Sequence, residues 1–154
     1  MRLTDILTPE RIKTPLSATS KPQVLAELVD VLVATGGVAD REKALSSVLE
    51  REQTRTTGIG NGLAIPHGKT GAVSDLVLAL GKTAAPIEFD SIDGKPVTLL
   101  VMLISPVDRT GPHIQALARI SRLFSIDAFR NKLHHAKDPA DMWRLLQEQE
   151  EKVD

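Results

Sequence analysis

The sequence predicts an α/β fold: a single domain in which one β-sheet is covered by helices on both faces. Three observations lead there. Apolar residues recur at helical period between residues 20 and 50. Two short runs, LVLALG (76–81) and VTLLVMLI (97–104), are almost continuously apolar, as strands covered on both sides are. Helical periodicity then returns for the last third of the chain, and the order helices, strands, helices suits a helix-covered sheet. At 154 residues one domain is expected, and 42% hydrophobic with only 3% aromatic residues means an aliphatic core.

The first helix starts at Ser20, a capping residue with Gln23 three positions on. Val24, Leu25, Leu28, Val29, Leu32 and Val33 form its stripe, and Gly36-Gly37 ends it. Asp40 caps a second helix, with Ala44, Leu45, Val48 and Leu49 inward and EREQ at its end. Leu63 to Ile65 reads as a brief strand, and Asp93-Gly94 marks a turn between the two long strands. After residue 110, Ile114, Leu117, Ile120 and Phe124 share one face of a third helix. Ser125 caps a short fourth helix carrying Phe129 and Leu133. Asp138-Pro139 starts a fifth helix with Met142, Trp143, Leu145 and Leu146. The tail QEQEEKVD is polar and expected to fray.

Composition excludes several function classes. A net charge of −1 argues against a dedicated nucleic-acid binder, which needs a basic face. There is no cysteine, so thiolate chemistry and disulfides are out. The N-terminus carries acidic residues within its apolar part, unlike a signal peptide. No apolar run is long enough to span a bilayer. A cytoplasmic protein without stable membrane insertion is expected.

The chemistry points to TGIGNGLAIPHGK, residues 57–69. Pro66 has no N–H and interrupts any ladder through it, which puts His67 at or just past a strand end. A neutral imidazole there can act as a nucleophile toward phosphorus, provided its other nitrogen is hydrogen-bonded. An incoming phosphoryl group brings about two negative charges. Arg51 and Arg55, upstream at the end of the second helix, can fork hydrogen bonds onto its oxygens. His113 opens the third helix, where an imidazolium is disfavoured and a neutral ring can donate to an anion. The plain alternative stands beside this: a glycine-rich loop with a histidine is more often a turn than a reactive site. Glu50 and Glu52 read as a solvated helix end, Asp90 and Asp93 as turn residues, and His134 and His135 as surface residues. No zinc-binding histidine spacing, P-loop or ordered Ser/His/Asp pattern is present.

LERE, then TGIGNGLAIPHGK, then IEFDSIDGKPVTLLVMLISP, then HIQALARISRLF resemble enzyme IIA of the fructose/mannitol class in the bacterial phosphoenolpyruvate-dependent phosphotransferase system, most of all its nitrogen-regulatory branch. The likeness covers a domain over residues 3–148, with 149–154 left as the polar tail. It implies a mixed sheet of about five strands. It implies phosphorylation of His67 on Nε2 by an HPr-type phosphocarrier, with Arg51 and His113 lining the phosphohistidine, and no metal or organic cofactor. The length fits the nitrogen branch, whose output is binding to regulatory target proteins for nitrogen, potassium or carbon control. A free-standing sugar IIA handing phosphate to a IIB domain is the alternative. Asp108 and Arg109, in the loop before His113, are candidates for tuning partner choice.

Overall fold

The computed structural model describes residues 1–154. Two short 3-10 turns, Leu3–Asp5 and Pro9–Arg11, lead into β1 (Ile12–Leu16). Helices α1 (Lys21–Ala34) and α2 (Arg41–Thr54) follow, then β2 (Gly58–Gly60), β3 (Leu63–Ala64), β4 (His67–Lys69), β5 (Val77–Ile87) and β6 (Val97–Ser105). Helices α3 (Thr110–Phe124), α4 (Asp127–His134) and α5 (Pro139–Val153) complete the chain. The expected α/β class with a mixed sheet holds, with six strands rather than about five. No helix is long and apolar enough to cross a membrane.

The strands run in the order β1-β5-β6-β3-β2, and β4 also pairs with β6. β5 and β6 are antiparallel, as are β2 and β3, whereas β1 runs parallel to β5, and β3 and β4 run parallel to β6. Alternation along β6 divides the core. Leu99, Val101 and Leu103 pack with Ile120, Leu123, Phe124, Phe129, Met142 and Leu146 of α3, α4 and α5. Leu100, Met102 and Ile104 pack with Val24, Leu28, Leu32, Ala44 and Val48 of α1 and α2. A strand buried on both faces must be apolar at every position, which is why β6 lacks period-2 alternation.

Most helix starts form as the sequence predicts. Ser20 accepts from the Gln23 amide, Asp40 from that of Lys43 and Asp138 from that of Asp141. Ser125 does not cap α4: its hydroxyl turns back to the Ser121 carbonyl, and Ile126 takes the cap position without a side-chain bond. Val33 and Ile114 are exposed rather than inward. In α3 the neighbour His113 takes the inward direction, which carries Ile114 to the outside.

The tail is not frayed. α5 continues to Val153, and Glu150 is fully buried. Its carboxylate accepts the Leu3 and Thr4 amides at 2.7 and 3.0 Å, the Thr4 hydroxyl at 2.9 Å and Arg119 Nε at 2.7 Å. Arg119 also reaches Asp154, which bonds Arg2. Buried donors left without their acceptor are costly. Glu150→Ala is therefore expected to lower unfolding stability by about 3 kcal/mol in urea titration, against less than about 0.5 kcal/mol for the exposed Glu148→Ala.

Candidate functional site

The site begins with a break in a strand. β3 pairs with β6 through Leu63 and Ala64, and β4 resumes the pairing at His67 with the sequence offset unchanged. β3 and β4 are thus one parallel strand interrupted at Ile65-Pro66, where proline has no N–H to give. His67 lies past the end of β3, as expected, and opens β4. Gly68 then lets α2 approach. A Cβ there would stand 2.6 Å from Ser47 Oγ and 3.2 Å from the Val48 backbone nitrogen, so only glycine fits without a shift. Arg51 lies one turn further along the same helix and lines a cavity with the histidine.

His67 is half-buried, and its Nδ1 lies 2.8 Å from the Ile65 carbonyl oxygen. A carbonyl only accepts, so Nδ1 carries the proton and Nε2 keeps a bare lone pair. Nε2 makes no hydrogen bond within the protein. The buried side-chain nitrogens and oxygens without a partner are Thr83 Oγ1 and Ser91 Oγ alone, so His67 Nε2 is not sealed from solvent. His113, in the first turn of α3, faces it with ring centroids 5.6 Å apart and planes tilted by 57°. His113 is buried, and its Nδ1 lies 2.7 Å from Ser105 Oγ at the end of β6. Its Nε2 likewise has no protein partner and is not sealed from solvent.

His67, His113, Arg51, Ser47, Gly68 and Lys69 line one cavity of about 290 Å³. His67 and Arg51 also border a second hollow of about 320 Å³, whose walls include Arg55, Ile59, Ile65, Ile92 and Leu117. His67 therefore sits between a small polar cup and a broader, partly apolar hollow. A larger groove along α1, bordered by Lys13, Ser17 and Glu27, contains no histidine. Burial lowers the His67 pKa below its ordinary 6.5, aided by Arg51 and opposed by the Ile65 hydrogen bond and by Glu52. Burial, with His67 and Lys69 nearby, pushes His113 down to about 4. Both rings are neutral at pH 7.

The chain matches the family model described as "Phosphoenolpyruvate-dependent sugar phosphotransferase system, EIIA 2" over residues 5–149. It belongs to that family. A fructose-specific EIIA component of Haloferax volcanii is 38% identical over 151 residues, covering 96% of this chain and 98% of that one. A nitrogen regulatory protein of Bradyrhizobium diazoefficiens is 36% identical over 147 residues, 95% of both chains. The fructose-specific EIIABC component of Bacillus subtilis is 34% identical, but this chain spans only 22% of its length. Among solved structures, the nitrogen regulatory protein IIA-Ntr of Neisseria meningitidis superimposes with a TM-score of 0.83 at 29% identity, covering 94% of this chain and 98% of that one.

In this EIIA chain the structure brings His67, His113 and Arg51 to one cavity and puts Arg55 on the rim of the neighbouring hollow. Arg51 Nη1 donates to the Arg55 carbonyl at 2.9 Å, which steadies the guanidinium beside the histidine. Asp108 and Arg109 are exposed, and Arg109 comes within 3.7 Å of Asp75. Asp93 holds the Asn61 and Lys95 amides, and Asp90, with a φ of 53°, lies just before the turn rather than in it. His134 sits away from this cavity, with Nδ1 on the Arg130 carbonyl and Nε2 on Thr98.

Glu52 departs from the sequence reading. It is buried, accepts the Thr57 amide and hydroxyl, and pairs with Lys21 Nζ at 3.0 Å. Only Glu50 is the exposed helix end expected of both. Sequence reading also passed over Lys69 and Ser105. Lys69 has a signal: two residues after His67 on a strand, it falls on the same side. Ser105 has none, because its contact with His113 depends on how the loop 106–109 folds back.

A depressed histidine pKa has a stability consequence of definite sign. Between about pH 6.5 and 4 the unfolded chain binds a proton at residue 113 that the folded chain refuses, so stability falls as pH falls through that window. NMR titration is expected to find His113 protonating near pH 4 and His67 below 6.5. The urea midpoint is expected to be lower at pH 5 than at pH 7, with a smaller difference in His113→Gln.

Proposed function

We propose that this chain is a phosphocarrier of the phosphoenolpyruvate-dependent phosphotransferase system, accepting a phosphoryl group on His67 Nε2 from a phosphohistidine on an HPr-type protein. The observation that carries this reading is the Ile65 carbonyl on His67 Nδ1, which leaves Nε2 unprotonated at an open cavity. In the transfer the Nε2 lone pair forms a new N–P bond as the donor's N–P bond breaks, and the bonding pair returns to the donor imidazole. No proton has to leave Nε2 first. Positive charge from Arg51 and Lys69 meets the negative oxygens, and Arg51 can do so with two parallel bonds. His113 contributes a neutral donor, which avoids strengthening the phosphohistidine into a dead end. Alignment and charge compensation supply the catalysis, as phosphoryl transfer generally requires.

The hollow bordered by Ile59, Ile65, Ile92 and Leu117 gives a protein donor an apolar place to rest while its imidazole meets His67. In this reading the chain is a phosphotransferase of the cytoplasm, where its donor resides. Its output is regulatory: a phosphate arriving beside that hollow changes which proteins dock there. The close overlap with a IIA-Ntr structure favours this. A second reading, a sugar-type IIA that hands phosphate to a IIB domain, is favoured by the similarity to the Haloferax fructose-specific component.

Incubation with phosphoenolpyruvate, enzyme I and an HPr-type protein tests the assignment. Wild type is expected to gain one acid-labile phosphate and His67→Ala none; equal labelling of both would refute it. Arg51→Ala is expected to take up phosphate about 10- to 100-fold more slowly, with stability changed by less than about 1 kcal/mol. Added purified IIB domain draining the label quickly would favour the sugar reading.

A further inference from the structure

We propose that Ser105 is a positioning residue for His113: its hydroxyl donates to His113 Nδ1 and so holds the ring as the Nε2–H tautomer facing His67. The effect on phosphoryl transfer rests on the function proposed above; the tautomer itself does not.

Ser105 is the last residue of β6 and is fully buried. Its backbone carbonyl is taken by the Thr70 amide. Its hydroxyl has one partner, His113 Nδ1 at 2.7 Å. Two assignments are conceivable. In one, Nδ1–H donates to Ser105 Oγ. The serine proton then has no acceptor in a place closed to water, at a cost of the size that a buried unpaired donor carries. In the other, the serine O–H donates to a bare Nδ1, every buried group is paired, and the remaining proton of His113 sits on Nε2.

Only the second assignment makes the two rings complementary. The Ile65 carbonyl forces a proton onto His67 Nδ1 and leaves its Nε2 bare. The Ser105 hydroxyl claims the lone pair of His113 Nδ1 and leaves Nε2–H as a donor. With the opposite tautomer, two bare nitrogens would face the cavity and His113 would offer a phosphoryl oxygen no hydrogen bond. A neutral donor is needed because burial keeps His113 from carrying a second proton. The serine therefore supplies by hydrogen bonding the orientation that charge cannot supply here.

The test has two parts. Long-range proton–nitrogen NMR of the unphosphorylated wild-type protein at pH 7.5 (about one unit above the ordinary histidine pKa) reads the tautomer directly. A protonated Nε2 and a bare Nδ1 on His113 are expected; a protonated Nδ1 overturns the proposal. In the HPr-dependent assay, Ser105→Ala is expected to slow phosphoryl uptake or shorten the lifetime of phospho-His67 about five-fold, the worth of one hydrogen bond. Ser105→Thr, which keeps the hydroxyl, is expected to retain more of both than Ser105→Ala. Unchanged uptake and lifetime in Ser105→Ala, whatever its spectrum, removes the residue from the transfer. Should wild type take up no label, the phosphocarrier reading falls while the spectrum still decides which atom of the Ser105–His113 pair donates.

Discussion

One hydrogen bond, from His67 Nδ1 to the carbonyl two residues earlier, fixes the tautomer of the ring on which the proposed chemistry rests. It closes within three residues of chain, so it costs little loop entropy. It also depends on the break at Pro66. A continuous strand would alternate its side chains and hold consecutive carbonyls in the ladder plane. The interruption instead lets the chain bend enough for a side chain to meet its own preceding backbone. Pairing with β6 on either side of the break keeps the two halves in line.

The location of β4 explains how helices from different layers meet there. β4 pairs only with β6 and so lies at an edge of the sheet. α2 belongs to one covering layer and α3 to the other. In the middle of a sheet such helices are separated by the strands themselves. At an edge they converge, and Arg51 and His113 close on His67 from the two sides. Gly68 sets the distance on the α2 side, and the Ser105 contact fixes the ring on the α3 side.

The parts of the fold readable from sequence are those whose causes are local. Ser20, Asp40 and Asp138 cap their helices through an amide three residues away, and β6 announces itself by uninterrupted apolar character. β1 was hidden because IKTPL buries only its end residues, Ile12 and Leu16, around a proline at the sheet edge. The second half of β5 was hidden because Ala84, Ala85 and Pro86 are exposed and give no burial signal. Burial of Glu150 depends on Leu3 and Thr4, almost the whole chain away, and no local pattern encodes that. The same division holds at the site. His67, Arg51 and His113 were visible as residue types in a motif and through the family likeness. Burial of Glu52 depends on Lys21 and Thr57 and the partner of His113 on the fold of the loop 106–109, which periodicity does not encode, and Ile114 faces outward because an inward histidine takes the core face from its more apolar neighbour.

The Glu150 cluster has a further consequence for the architecture in which such a unit can be used. Arg2 and Asp154 are bonded to each other, so the two ends of the polypeptide emerge side by side. A unit with adjoining ends can be spliced into a surface turn of a host protein, or have its ends joined and be reopened elsewhere, without pulling the sheet apart. Such grafting places one demand on the engineer: the connecting segments must leave the carboxylate at the seam covered, since the amides it holds belong to the very residues at which one connector would attach.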